Sequence, residues 1–335
     1  MAGALQGRGQ RLLTSCVRAS GGVAERMPET VRVAVAQAAP VFFDKYASTE
    51  KACRLIREAA SGGASLVAFG ETWLPGYPFF IDAAVSDLWW EAAAEYLHNT
   101  IDIPGPETEL LCAAAAESGI DVVIGVAELD PATRGSTYAS LLFIGREGEV
   151  LGRHRKIKPT HHERSVWADG DAAGLKVYPR AYGRLGGLNC WEHNILLPGF
   201  ALIAQGVQIH VAAWPGREPD TAPSDPVWAR QILLSRAFAS QAGAFVLAAA
   251  GLRRTQDVPE RWRTLSKFEH NGRSAIIDPR GEVIAGLAEG ETILFADLDL
   301  GLIYRAKTAC DPAGHYSRPD LFELRLGGRR IYGNG

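Results

Sequence analysis

Short apolar runs alternate with amphipathic helical segments from Val31 onward, and this alternation limits the folds open to the chain. Val31–Gln37 reads as a buried strand. Ala52, Leu55, Ile56, Ala59 and Ala60 follow at helical spacing, with Ser48 as the expected N-cap and Gly62-Gly63 as the stop. Leu66–Phe69 predicts a second strand, Glu107–Ser118 a helix after the Pro104-Gly105-Pro106 break, and Val122–Glu128 a third strand. Strands over Tyr138–Ile144 and Glu149–Arg153 flank the turn residues Arg146-Glu147-Gly148. Arg184–Asn189, Gln208–Ala213 and Ala244–Ala250 read as strands, separated by helices over Ile195–Gln205 and Asp225–Ala242. Ser274–Asp278, Glu282–Ala285 and Ile293–Asp297 complete the sheets. The alternation predicts α/β layers but does not separate a doubly wound sheet from a two-sheet sandwich. Late strands joined by tight turns favour partly antiparallel pairing. With no internal repeat or linker, one domain is expected over 31–324, between a disordered N-terminal tail (1–30) and a C-terminal tail (325–335).

With 335 residues, the chain can bury a large core. A net charge of -3 provides no basic footprint for nucleic acid, and no apolar run is long enough to span a membrane. Five scattered cysteines without a Cys-x-x-Cys pair favour a reducing, cytoplasmic setting, which a thiol nucleophile also needs. Residues 1–26 are rich in Gly, Ser and Arg, with Glu25 the first acid. That composition fits a transit peptide, but a disordered tail, or a true start at Met27, is the simpler reading.

Four residues stand in dense local motifs. Cys190 lies in Asn189-Cys190-Trp191-Glu192-His193, where an expected strand ends and a helix soon begins. Such an elbow presents the sulfur and brings the Trp191 N–H near a developing negative charge. An isolated cysteine is more often inert packing, the reading that suits Cys53 and Cys112 on alanine-rich helical faces. Glu71 follows a buried strand among Phe69, Trp73, Leu74 and Tyr77, which argues against a freely solvated acid and for a raised pKa. Lys156 closes a basic strand in which alternation puts His154, Lys156 and Lys158 on one face. Alternation does not choose between Lys156 and Lys158. Glu163 follows in His161-His162-Glu163-Arg164.

In this order and context, Glu71, Lys156, Glu163 and Cys190 resemble the catalytic positions of the nitrilase superfamily, and more closely those of its true nitrilase branch. The resemblance implies an αββα sandwich, two sheets face to face with helices outside. It also implies conversion of an organic nitrile and water to a carboxylic acid and ammonia, through a covalent thioimidate and thioester on Cys190. By the same resemblance Glu71 is the general base, Lys156 (chosen by the Arg-Lys-x-x-Pro-Thr pattern) stabilises the tetrahedral species, and Glu163 positions Lys156 and substrate. No cofactor is implied, and the superfamily's habit implies a homo-oligomer.

Three further segments carry the likeness: Val166 to Leu175, Gln208 to Pro215, and Gly314-His315-Tyr316-Ser317-Arg318-Pro319-Asp320. Departures are Gly70 in place of a common proline, expected to loosen the backbone before Glu71, Ala168 and Ala172 in place of glycines, and His193 to Pro198 after the elbow. Tyr77, Trp167, Trp191 and Trp214 are candidates for an apolar substrate pocket. His161-His162 is not expected to hold a metal, because adjacent residues point apart on a strand and no second ligand cluster accompanies them. The alternatives are an amidase or carbamoylase, separable by comparing a nitrile with its matching amide, and a non-catalytic assembly subunit, separable by thiol titration. A chain starting at Met27 is expected to retain activity. Loss of soluble folded protein on removing residues 1–26 would show instead that the segment is packed.

Overall fold

The computed structural model describes residues 28–216 and 230–334. The expectations for residues 1–26, and for the part of the long helix before Arg230, lie outside the described residues. In chain order the strands are β1 (Thr30–Gln37), β2 (Leu66–Ala68), β3 (Asp121–Leu129), β4 (Thr137–Ile144), β5 (Val150–Arg155), β6 (Tyr178–Arg180), β7 (Gly183–Asn189) and β8 (Ile209–Trp214). There follow β9 (Phe245–Ala250), β10 (Leu252–Arg253), β11 (His270–Asn271), β12 (Ala275–Ile277), β13 (Val283–Gly286), β14 (Thr292–Asp299), β15 (Leu324–Leu326) and β16 (Arg329–Tyr332). The α-helices are α1 (Lys45–Ser61), α2 (Asp87–His98), α3 (Pro106–Ser118), α4 (Leu196–Ala204), α5 (Arg230–Ala242) and α6 (Gly301–Ala309).

Two six-stranded sheets form, in the orders β14-β1-β2-β3-β4-β5 and β13-β12-β9-β8-β7-β6. Parallel pairing joins β1 to β2 to β3 and β7 to β8 to β9, while the outer strands pair antiparallel. Alternation along each strand then builds the layers. Val33, Val35, Leu66, Val123, Leu141 and Phe143 of the first sheet pack against residues such as Leu185, Val211, Phe245 and Leu247 of the second. On the outer face of the first sheet, Ala34, Val67, Val122 and Ile124 pack with Ala52, Ile56, Leu111 and Ala115 of α1 and α3. On the far side, Leu188, Ala212, Val246 and Ala248 pack with Ala201, Leu202, Phe238 and Ala239 of α4 and α5. The architecture is an αββα sandwich.

Several local expectations change. Asp44, not Ser48, caps α1, accepting from the Ala47 N–H at 2.9 Å. Ser48 is buried, and its hydroxyl donates to the Val41 carbonyl at 2.9 Å. Helices α2 and α6 were not expected; α2 is capped by the Ser86 hydroxyl, which accepts from the Trp89 N–H at 3.2 Å. The stretch 325–335 was expected as a tail. Instead β15 and β16 form a hairpin whose Leu324, Leu326 and Ile331 pack against the α4–α5 cluster.

Gly70 does not loosen the chain. A Cβ there would lie 2.7 Å from the Gly251 nitrogen and 3.0 Å from the Trp214 carbonyl oxygen, so it lets the end of β2 approach the ends of β8 and β9. Across it, the Glu71 N–H donates to the Trp214 carbonyl at 3.1 Å. Gly125 in β3 has the same part from the other side, with a Cβ placed 2.2 Å from the Gly70 carbonyl oxygen and 2.4 Å from the Thr72 nitrogen. Gly125→Ala is therefore expected to lower stability by about 1–3 kcal/mol through overpacking and to depress activity by shifting Glu71. Denaturant unfolding with a parallel activity assay checks both, and a neutral result in each would show that the contact relaxes freely.

Candidate active site

The end of each site-bearing strand is fixed by local chemistry. Glu71 and Thr72 follow β2 after Phe69 and Gly70, with Thr72 at φ 40. Lys156 extends the β4–β5 ladder by one residue, its N–H donating to the Ala139 carbonyl at 2.8 Å. The chain then turns, so Lys156 is buried while Lys158 reaches solvent and pairs with Asp169 at 2.6 Å. Gly170 is packed over this corner, where a Cβ would sit 2.3 Å from the Arg155 carbonyl oxygen. A side chain at 170 would therefore collide with the backbone.

Glu163 lies in a 3-10 helix over His161–Ser165, not on a strand, and His161 enters it at φ 43. Cys190 opens another 3-10 helix, Cys190–Asn194, at φ 46. Left-handed backbone is costly for residues with a Cβ and concentrates where a side chain must be aimed. The His193 Nδ1–H donates to the Cys190 carbonyl at 2.7 Å and pins the elbow.

All four side chains meet. Lys156 Nζ donates to Glu71 Oε1 at 2.7 Å and to Glu163 Oε2 at 2.6 Å. A carboxylate oxygen of each glutamate and the Cys190 sulfur lie within 4.8 Å of one another. Three such groups could ligate a metal, but the Lys156 ammonium bridges both carboxylates and supplies the cation itself. The glutamates differ. Both oxygens of Glu163 are engaged, Oε2 by Lys156 and the Thr160 N–H (2.6 Å), Oε1 by the Tyr77 hydroxyl (2.8 Å). Glu71 Oε2 is buried and accepts no hydrogen bond.

Burial pushes the Glu71 carboxyl up to about 8, with Lys156 pulling down and Glu163 pushing up. Burial also raises the Cys190 thiol well above its usual range, reinforced by Glu71 and opposed by Lys156 and the Trp191 N–H. For Lys156, burial works against the charge, but Glu163 and Glu71 outweigh it and hold the ammonium firmly protonated. One positive charge thus faces two carboxyls and a thiol, so the protonation of each group depends on that of the others.

A cavity of about 410 Å³ opens onto Cys190 and Glu163. Tyr77, Trp191 and Trp214 line it, and Tyr77 also has the polar role described above. Trp167 does not line it. It packs edge-on against Tyr77 (5.6 Å between centroids), with Lys156 Nζ 5.8 Å from its ring, so it backs the cluster from behind. Sequence reasoning missed Asp82, His161, His162, Phe268 and His270 as lining residues. His161 and His162 were weighed only as metal ligands on a strand. In the 3-10 helix both reach the cavity, His161 against Trp191 (5.1 Å) and His162 toward Asp82 (3.3 Å). The Gly314 to Asp320 segment lies elsewhere on the surface, with Tyr316 72% exposed.

An αββα sandwich that gathers a cysteine, a glutamate and a lysine from beyond its strand ends, and a second glutamate from a 3-10 helix, has the makings of a hydrolase site. The sequence model described as Carbon-nitrogen hydrolase matches residues 32–308, and the chain belongs to that family. It is 53% identical over 298 residues to a protein named Nitrilase 2 from an unknown prokaryotic organism, covering 88% of this chain and 92% of that one. It is 38% identical over 313 residues to an aliphatic nitrilase of Rhodococcus rhodochrous, covering 90% and 83%. Among solved structures, Saccharomyces cerevisiae Nit3 shares the fold with a TM-score of 0.68 at 21% identity, over 87% of this chain and 98% of that one.

If a carboxylate in this cluster must be ionised to take the thiol proton, kcat/KM should fall as pH drops through about 8. A pH–rate profile checks this, and an acid limb at the ordinary carboxylate value of 4.5 would count against it.

Proposed function

We propose that the cluster converts an organic nitrile and two waters into a carboxylic acid and ammonia on Cys190. Glu71 Oε2 takes the Sγ proton, and the thiolate attacks the nitrile carbon. The nitrogen gains that proton to give a thioimidate. Lys156 balances the negative charge developing on nitrogen. Water, deprotonated by Glu71, adds to the thioimidate carbon. Protonated nitrogen leaves as ammonia, and the resulting thioester is hydrolysed by a second water to the acid and the free thiol. One observation carries the assignment of roles: Glu71 keeps a bare buried oxygen on a carboxylate that lies within 4.8 Å of the thiol, whereas both oxygens of Glu163 are occupied by Tyr77, Lys156 and Thr160. Glu71 is therefore the proton-exchanging acid and Glu163 the positioning one. Tyr77, Trp191 and Trp214 form the wall against which the substrate's organic group packs. Its resemblance to named nitrilases favours this chemistry over amide or carbamoyl hydrolysis.

We further infer a cytoplasmic homo-oligomer. Cys53, Cys112, Cys190 and Cys310 are free thiols, which suits a reducing compartment. Leu196 (75% exposed) and Phe322 (68%) are large apolar side chains suited to burial between copies. Among the described residues, no helix is long and apolar enough to cross a membrane.

Cys190→Ala should abolish ammonia release from a nitrile panel while leaving the circular dichroism spectrum unchanged; near-normal turnover by the folded variant would remove Cys190 as nucleophile. Glu71→Gln should lose turnover, because an amide cannot act as a base. Glu163→Gln should lose acid formation and raise the amide fraction, because a displaced intermediate expels sulfur more readily than nitrogen. Full acid production by Glu71→Gln would hand the base role to another group.

A further inference from the structure

Of the buried acids that the mechanism leaves unused, Glu192 stands beside the nucleophile in sequence. Glu192 is 1% exposed and two residues beyond the cysteine, yet its carboxylate faces away from the cavity and into the seam between the sheets. Its two oxygens hold two different pieces of chain. Oε1 accepts from the backbone N–H of Ile157, immediately after Lys156, at 2.9 Å. Oε2 accepts from the backbone N–H of Asn189, immediately before Cys190, at 2.8 Å. His154, buried on β5 two residues before Lys156, points Nε2 at both oxygens, at 3.0 and 2.9 Å.

We propose that Glu192 is a positioning residue for the reaction: its carboxylate ties the corner bearing Lys156 to the elbow bearing Cys190 and sets the distance between ammonium and sulfur. The inference rests on the catalytic reading of Cys190 and Lys156 given above.

The geometry favours a carboxylate and no other group. An ionised carboxylate accepts on both oxygens and carries no hydroxyl hydrogen to turn against an N–H donor. Burial works to protonate Glu192, but His154 and the two backbone N–H groups outweigh it and hold the pKa below the usual glutamate value. A glutamine offers one accepting oxygen, and its NH₂ would confront an N–H donor. An aspartate keeps the charge but is one methylene shorter, so it cannot span both segments without moving one of them. Glu71 and Glu163 touch Lys156 only at its flexible ammonium end, whereas Glu192 holds the backbone on which the side chain stands. Misplacing reacting groups by about 1 Å can cost about 100-fold in rate.

The experiment compares the full chain with Glu192→Gln, Glu192→Asp and Cys190→Ala, measuring kcat, KM and the acid-to-amide ratio from one nitrile. A positioning role predicts kcat lowered about 100-fold in Glu192→Gln, an intermediate loss in Glu192→Asp, KM within about threefold of the parent, and a raised amide fraction in both. Misfolding alone would lower the amount of active enzyme without altering the product ratio. Parental kcat and product ratio in either folded Glu192 variant would overturn the proposal. So would failure of both variants to fold, which would make Glu192 a purely structural residue. Should Cys190→Ala retain turnover, the catalytic reading itself fails. An inactive Cys190→Ala beside normal Glu192 variants rejects only the tie.

Discussion

The buried Lys156 ammonium holds this site together. It sits 2.7 Å from one carboxylate and 2.6 Å from another, with all three groups nearly removed from water. An isolated charge buried this way would be very costly, and a pair roughly offsets its own desolvation only when the remaining hydrogen-bonding capacity is filled. Here it is filled unevenly. Glu163 is saturated and Glu71 is not, so the cost that remains is concentrated on the free Glu71 Oε2. A cluster optimised only for stability would have satisfied that atom as well.

The sandwich supports this arrangement through its seam. Glu71 and Lys156 come from the ends of first-sheet strands and Cys190 from the end of a second-sheet strand, so their spacing is the spacing of the two sheets. Gly70 and Gly125 permit the close approach, and the Glu71 N–H to Trp214 carbonyl bond crosses it. The left-handed residues Thr72, His161 and Cys190 stand at three of the corners where strands give way to the site. Backbone strain is tolerated there because dense packing on both sides leaves no relaxed alternative.

Much of this was legible in the sequence, and what was missed has a common cause. Strand periodicity and the four motifs gave the sheets and the central residues, because both are encoded locally. Alternation placed Lys156 and Lys158 on one face, but a turn immediately after β5 separates them, and nothing in the spacing reveals that turn. Tyr77 was read as an apolar wall because its hydroxyl finds Glu163 only through the tertiary fold, 86 residues away. Glu192 stood inside a quoted motif without a role for the same reason. Ser86-Asp87 ahead of Leu88, Trp89 and Ala92 was a readable helix start that passed unnoticed, as did the better cap at Asp44.

Lys156 and Glu71 are 85 residues apart, and neither sheet alone contains the whole set. The sulfur therefore gains its partners only when two separately hydrogen-bonded layers have docked. A nascent chain that has formed one sheet, or a mature chain that has lost the other, presents an ordinary cysteine with no base or cation beside it. The environment of the thiol in this architecture is a property of the completed fold.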